Sequence, residues 1–571
     1  MASTSSAYDF IVVGAGAAGC ILARRLADSK TKPSVLLIEA GGKNDQQEAR
    51  IDGERFATFQ TYPLQNWSYT TIEQPTLANR TLAYDRGKGL GGSTAINFAC
   101  WTIAGRDDHD EVARLTGDPE WRWENAQARY KRIEGYGVAE KRSDLHNKYL
   151  DPKPEDHGIT GPIKVGFPKV LEASFMAEMD HLMGQGLDLN HDMNSGNQLG
   201  IAAVPNTAFG GIRSTAADAL QELSNNLTVI TDTMIARVTF KDKTATGVET
   251  IDGKHYHAKH EVILTSGAID SPKILLHSGI GPSSQLTPLN IPVVIDNPSI
   301  GTNLQDHPFA YISFPRRAHI NNRFTYYNSA SAQSAARQQW IKDGTGPLAE
   351  IACQICMGFF QHPPILRSPE FQALPPDVRR ALTLPTTPHY EICGNMPNLE
   401  VGADLHTAPP SAGYIVFLMN PQSRGRVYLT SSDPATQAAI DLNMLSHPYD
   451  RVMMREATKE LMRLGNVHPG SEVEGAVYAV PASGGDEDVM AYLEQTAVPT
   501  WHATGTVAVG SCLDRDFRVK GARGLRVADL SAVPVLPNCH TQSTAYLVGL
   551  MAGDRLVEEY GLDAERETAR L

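Results

Sequence analysis

Two histidines near the end of the chain and a glycine turn at its start are the residues best suited by type to do chemistry. The histidines stand in Trp501-His502-Ala-Thr-Gly-Thr506 and Leu536-Pro-Asn-Cys-His540-Thr-Gln542. Imidazole titrates near neutral pH, so either ring could move a proton, although a histidine taken alone is more often a structural residue. At the other end, Tyr8-Asp-Phe-Ile-Val-Val-Gly14-Ala-Gly16-Ala-Ala-Gly19 leads after one helix length to Val35-Leu-Leu-Ile-Glu39. Gly14 permits a tight turn, Gly16 lets backbone approach a pyrophosphate, and Gly19 lets helix and strand pack closely. The helix N-terminus supplies aligned N–H donors to phosphates. Glu39 lies about 20 residues beyond Gly19, where a carboxylate accepts ribose hydroxyls. It favours NAD or FAD over NADP, whose 2′-phosphate it would repel, and does not choose between the first two.

The elements that must position these residues are legible in part. A strand, the glycine turn, the amphipathic segment Cys20–Leu26 and a second strand carry the nucleotide fingerprint. Arg86-Gly-Lys-Gly-Leu90-Gly-Gly-Ser93-Thr-Ala-Ile96-Asn97-Phe98 is a second glycine-dense loop, suited to close approach of backbone to a ligand. Residues 261–281 read as a buried strand, a turn at Ser266-Gly267 and a helix with Pro272 in its first turn, hence a later strand of the same parallel sheet. Leu227–Ile230 and Met234–Phe240 read as strands. From Thr541 a helix is expected, with Leu547, Leu550, Met551 and Leu556 on one buried face. Its N-terminal dipole would favour negative charge beside His540. The segment from Arg316 to Gly346, with Phe324, Tyr326, Tyr327 and Trp340, reads either as a lid over a pocket or as a packing segment.

Bulk properties narrow the function classes. A chain of 571 residues holds two or more structural regions. A net charge of −13 and the lack of a basic run exclude nucleic acid and anionic membranes as expected partners. No apolar stretch has membrane-spanning length, and Met-Ala-Ser-Thr-Ser-Ser-Ala at the start is not a signal peptide, so an intracellular location is expected. Seven cysteines, an odd and sparse count, read as reduced thiols. Cys353 and Cys356 have redox or zinc spacing but no second pair, so no metal is expected. The final Ala569-Arg570-Leu571 fits the small-basic-leucine pattern of a peroxisomal address, which makes the expected location cytoplasmic or peroxisomal.

The chain resembles the glucose-methanol-choline oxidoreductase family. The resemblance rests on residues 87–106 and 267–281, on Gly211-Ile-Arg-Ser-Thr215, on Ile300-Gly-Thr-Asn-Leu-Gln-Asp-His-Pro308, and on Ser423-Arg-Gly-Arg-Val-Tyr-Leu429 with Asp433-Pro434 behind it, all in the family's order. It implies an α/β, Rossmann-like FAD-binding domain that is discontinuous (1–165, 205–310 and 500–571). It also implies an α+β substrate domain with an antiparallel sheet (166–204 and 311–499). His502 takes the place of the family's base and His540 a second active-site position held by histidine or asparagine. Leu90, Ser93, Asn97, Ile235, Thr541 and Gln542 match cofactor-contact positions. Asp529 matches a pyrophosphate-region position and would also suit a helix cap. Ile96 stands where relatives with covalently bound FAD carry histidine, which implies non-covalent FAD. Ala503 replaces a usual proline and implies a looser His502 loop.

The reaction so implied is oxidation of an alcohol. Hydride leaves far more readily from an alkoxide than from a neutral alcohol, so a base within reach of the hydroxyl is required. His502 would remove the proton, His540 would bind the oxygen and stabilise its developing charge, and flavin N5 would take the hydride, with O2 or another acceptor as reoxidant. Asn538-Cys-His-Thr-Gln542 is most similar to the aryl-alcohol oxidase branch, where Phe98 and Trp501 match pocket-lining aromatic positions. His540 departs from the arginine of formate-oxidising relatives. An aromatic or allylic primary alcohol is therefore the expected substrate. A non-redox alternative is a lyase of the hydroxynitrile lyase type, with the same histidines as acid and base.

Overall fold

The computed structural model describes residues 7–137, 148–222, 224–315, 329–350, 354–396, 411–465 and 479–564. Its larger sheet is built around strand Ala7–Val13, whose last four residues are buried. The order is Leu227–Ile230, Val35–Ile38, Ala7–Val13, His255–Leu264, Thr244–Thr250 and Ile235–Lys241, with Leu525–Val527 also paired to His255–Leu264. All pairs are parallel except the hairpin formed by the last two of that order and its junction with His255–Leu264. Strand His255–Leu264 uses its two halves differently: residues 255–257 pair with the hairpin and residues 262–264 with Leu525–Val527. Its polar first half is half-exposed, and that is why the apolar run from Glu261 marks only the second half as a strand.

At the end of the first strand Gly14 has φ +102°, and a Cβ there would lie 2.7 Å from the carbonyl oxygen of Thr265. A Cβ on Gly19 would lie 1.9 Å from the Gly14 carbonyl, so helix Ala17–Ala27 can seat on the turn only with glycine at that position. Far along the chain, Arg526 fastens the last strand: its guanidinium, fully buried, makes two 2.8 Å bonds to the Glu261 carboxylate.

Two sequence expectations are corrected here. Helix Gly267–His277 places Pro272 in its interior and not in its first turn. Proline has no N–H to give the carbonyl four residues back, and the Thr506 hydroxyl takes that role, donating to the Ala268 oxygen at 2.7 Å. The C-terminal helix Gln542–Glu559 buries every residue from 542 to 553, not one face alone, because helix Ala17–Ala27 and the core of the larger sheet surround it. Trp340, on helix Ala330–Asp343, is buried with Ile51, Leu348 and Ala349, which is a packing role. Phe324, Tyr326, Tyr327 and Cys353 lie outside the described residues.

The second sheet is antiparallel, in the order Cys356–Phe360, Tyr390–Met396, Ser411–Leu418, Pro308–Pro315, Val498–Pro499. Its residues alternate faces with period two. Ile392, Tyr414 and Val416 pack under helices Ala173–Gly184 and Pro448–Gly465 through Met179, Met453 and Leu461. Cys393, Ile415 and Phe417, with Phe309 beside them, form the opposite face. That face looks onto a cavity shared with the larger sheet.

Candidate active site

The cavity runs from the first glycine turn to the two histidines, and Gly14, Gly16, Glu39, Ser93, Asn97, Ile235, Asp529, Thr541 and Gln542 all line it. Around Gly16 the backbone faces open space, since a Cβ there would meet nothing within 4 Å. The first turns of helices Ala17–Ala27, Gly267–His277 and Gln542–Glu559 open onto the same cavity, which favours an anionic group. Glu39 ties the glycine loops together, accepting from the N–H groups of Ala15 (2.8 Å), Gly41 (2.9 Å) and Gly89 (3.0 Å). Asp529 does two jobs: one oxygen caps residues 530–532 through Ser531 N–H at 2.8 Å, and the other accepts from Gly267 N–H at 2.9 Å. Asn97 donates to the Gln542 side chain at 3.1 Å and is held by Arg213 at 2.9 Å. Leu90 stands behind the loop and outside the cavity wall, its N–H donated to the Gly42 carbonyl at 2.9 Å. An open glycine turn, a carboxylate beside it and three helix N-termini are what an FAD pyrophosphate and ribose require, so the cavity fits that group.

At the far end the rings of His502 and His540 lie 5.0 Å apart between centroids. Strand Val498–Pro499 pairs with Pro308 and Phe309 and delivers the chain to Trp501 and His502. Trp501 sits in the left-handed region, φ 60°, and its carbonyl accepts from Arg86. The loop that carries His502 and Ala503 is pinned on both sides. His502 N–H donates to Asp306 at 3.0 Å, while Gln305 and Thr504 exchange two backbone hydrogen bonds of 3.0 and 3.1 Å. Asp306 also accepts from the Tyr84 hydroxyl, and burial pushes its carboxyl up to about 6.

Two further groups fix the histidines. His307 Nδ1 is 3.0 Å from His502 Nδ1, and Glu391 Oε1 is 2.8 Å from His540 Nε2. Burial, followed by the adjacent His540 and His307 rings and the Arg86 guanidinium, holds His502 well below the usual imidazole range. Burial and then His540 bring His307 down to about 3. His502 is therefore neutral and able to accept a proton. Asp306 and His307 lie in the 300–308 turn that carries part of the family resemblance, yet sequence reasoning gave them no role. Glu391 has only a weak sequence signal, one carboxylate in the otherwise apolar run Tyr390-Glu-Ile-Cys.

Aromatic rings close this end. Phe98 meets Trp501 edge-on at 6.1 Å, Phe59 lies 5.7 Å from Trp501, and Phe417 meets His540 edge-on at 5.6 Å.

A nucleotide cavity on a Rossmann-like sheet, ending at two histidines beneath an antiparallel sheet, defines a flavin-dependent oxidoreductase of alcohol-type substrates. The sequence profile of GMC oxidoreductases matches residues 8–309 and 421–549, and the chain belongs to that family, with FAD as its cofactor. It is 30% identical to pyranose dehydrogenase 2 of Leucoagaricus meleagris, covering 97% of this chain and 93% of that protein. It is likewise 30% identical to an oxygen-dependent choline dehydrogenase of Yersinia pseudotuberculosis, covering 96% and 93%. A solved structure of a fungal aryl-alcohol oxidase superposes with a TM-score of 0.80 at 24% identity, covering 97% of this chain and 99% of that one. No helix among the described residues is long and apolar enough to cross a membrane.

Proposed function

We propose that the protein oxidises an aromatic or allylic primary alcohol to the aldehyde, with His502 as base and FAD held without a covalent bond. The observation that carries the substrate class is the wall around the histidines. Phe98, Phe309, Ile355, Met396, Ile415 and Phe417 line it, and none carries a hydroxyl, amide or charge. Burying a flat ring there is worth about 1.5–3 kcal/mol, and edge-on ring contacts add to it. A sugar would bury hydroxyls against the same wall at about 1–3 kcal/mol for each left unpaired.

The proton steps follow from the ring partners. His502 Nδ1 is engaged by His307, which leaves Nε2 to take the hydroxyl proton. His540, with Nε2 committed to Glu391, turns its other nitrogen to the alcohol oxygen and steadies it as charge develops. FAD supplies the hydride acceptor. Gly16, Glu39, Asp529 and the three helix N-termini would hold it, and Ile96 on the cavity wall offers no nitrogen for a covalent link.

The test is anaerobic mixing of the flavin-loaded protein with benzyl alcohol, glucose and choline, following loss of the flavin absorbance. Bleaching by benzyl alcohol ahead of the other two is expected; bleaching by glucose or choline alone would overturn the substrate class. Acid precipitation should leave the flavin in the supernatant, and flavin retained on the protein would refute non-covalent binding.

A further inference from the structure

We propose that Glu391, Cys393 and His540 form a binding site for a borderline-soft divalent cation of the Zn2+ type, and that filling it arrests turnover. The carboxylate, thiol and imidazole ligand atoms all lie within 4.8 Å of one another. Glu391 Oε1 is 2.8 Å from His540 Nε2 and 3.1 Å from Cys393 Sγ. Bond lengths of about 2.0–2.3 Å from zinc to oxygen, nitrogen and sulfur place tetrahedral ligands about 3.3–3.7 Å apart. Glu391 Oε1 therefore has to draw back by about 0.5 Å from His540 Nε2 and by about 0.4 Å from Cys393 Sγ.

A second observation points to a ligand. Glu391 is fully buried, and its other oxygen, Oε2, has no hydrogen-bond partner. An unpaired carboxylate oxygen in the interior is costly, and a cation that Glu391 takes through both of its oxygens relieves it. The charge also balances: one thiolate and one carboxylate neutralise a divalent cation, so the occupied site carries no net charge. A mixed oxygen, nitrogen and sulfur set selects zinc-like ions over magnesium or calcium, which take oxygen ligands.

The scaffold is rigid and reachable. Glu391 and Cys393 lie two apart on one face of strand Tyr390–Met396, while His540 comes from 149 positions away and is anchored by its N–H to Thr102 Oγ1 at 2.8 Å. Cys393 and His540 both line the cavity, which gives an entering ion its path and its fourth position. No local motif announces such a site, because its third ligand is brought in only by the fold.

Binding displaces two protons from their places. The Cys393 thiol proton is released to solvent, and the proton between His540 Nε2 and Glu391 must leave Nε2 and reside on Nδ1. With His540 clamped to the ion through Nε2 and the ion's fourth position open to the cavity, the alcohol oxygen is drawn to the ion and away from His502, so turnover stops whichever alcohol is the substrate.

The experiment is X-ray absorption at the zinc edge on the full-length, FAD-loaded protein with one equivalent of Zn2+, beside titration of its alcohol turnover with Zn2+. One sulfur at about 2.3 Å with nitrogen and oxygen at about 2.0–2.2 Å is expected, together with inhibition that EDTA reverses. Cys393→Ser should remove the sulfur shell and raise the Zn2+ needed for half-inhibition at least tenfold, measured against its own uninhibited rate. Glu391→Gln should weaken inhibition likewise. A wild-type spectrum without sulfur, or a sulfur shell that persists in Cys393→Ser, overturns the site. The absorption readout is independent of the substrate, so its failure is distinct from failure of the aromatic-alcohol reading.

Discussion

His307 and His502 face each other through like nitrogens, Nδ1 to Nδ1 at 3.0 Å. One of the two must carry the proton and the other accept it. A base that uses Nε2 needs its own proton on Nδ1, so His307 accepts there and selects the productive tautomer of His502. His307→Ala should lower kcat/KM by about 10- to 100-fold, the loss of one buried hydrogen bond of about 1.4–2.8 kcal/mol. His307→Asn, whose amide oxygen can accept, should recover part of the loss. Steady-state kinetics on samples matched for flavin absorbance decide it, and equal activity in His307→Ala would remove the tautomer role.

The depressed proton affinity of His502 makes a signed prediction for pH. Because the neutral ring is the active form and its value is held below the usual 6.5, kcat/KM should not fall as pH drops through 6.5. Burial is the largest cause, and the positive Arg86 adds to it. Arg86→Gln removes a charge that opposes protonation, so its acid limb should move to higher pH. A pH profile of kcat/KM for both proteins measures the displacement. An unmoved acid limb would show that Arg86 serves only to hold the Trp501 carbonyl.

The nucleotide end was legible from sequence because its determinants are local. Gly14 and Gly19 are demanded by backbone geometry within a single turn, and the close contacts a Cβ would make at each confirm why. The histidine end was legible only as two positions. What fixes His502 is a turn some 195 residues earlier, and what fixes His540 is a strand from the other sheet. Side-chain partners of that kind depend on tertiary register, here the pairing of Glu391 with Phe417 and of Phe309 with the same residue. That Pro272 lies in the helix interior and not in its first turn is illegible for a related reason: the hydroxyl that makes it tolerable comes from Thr506.

A second ionisable cluster, remote from turnover, tests stability. His157 stacks on Tyr136 at 4.0 Å, with Nδ1 3.2 Å from Glu134 and Nε2 3.1 Å from Asp192. Burial opposes its charge, yet the two carboxylates prevail and push it up to about 9 from 6.5. A raised value means the contribution is complete below pH 6.5 and is lost as pH rises through about 9. It amounts to about 3 kcal/mol. Thermal unfolding of the wild type and His157→Gln should differ most below pH 6.5 and converge above pH 9. A constant gap across that range would deny the ion pair its role.

The Pro272 and Thr506 pair yields the sharpest structural test, because each substitution predicts the effect of the other. Thr506 is fully buried and its hydroxyl donates to the Ala268 carbonyl that proline cannot serve. Thr506→Val keeps the shape and removes the donor, which should cost about 1–3 kcal/mol by leaving that oxygen unsatisfied. In a Pro272→Ala background the new backbone N–H reaches the same oxygen, so Thr506→Val should cost less there. The two changes share one acceptor and must couple, by about 0.5–3 kcal/mol in a double-mutant cycle. Chemical denaturation of the four proteins measures it. Additive losses would mean that the hydroxyl and the helix interior are independent, and that the helix tolerates its proline by other means.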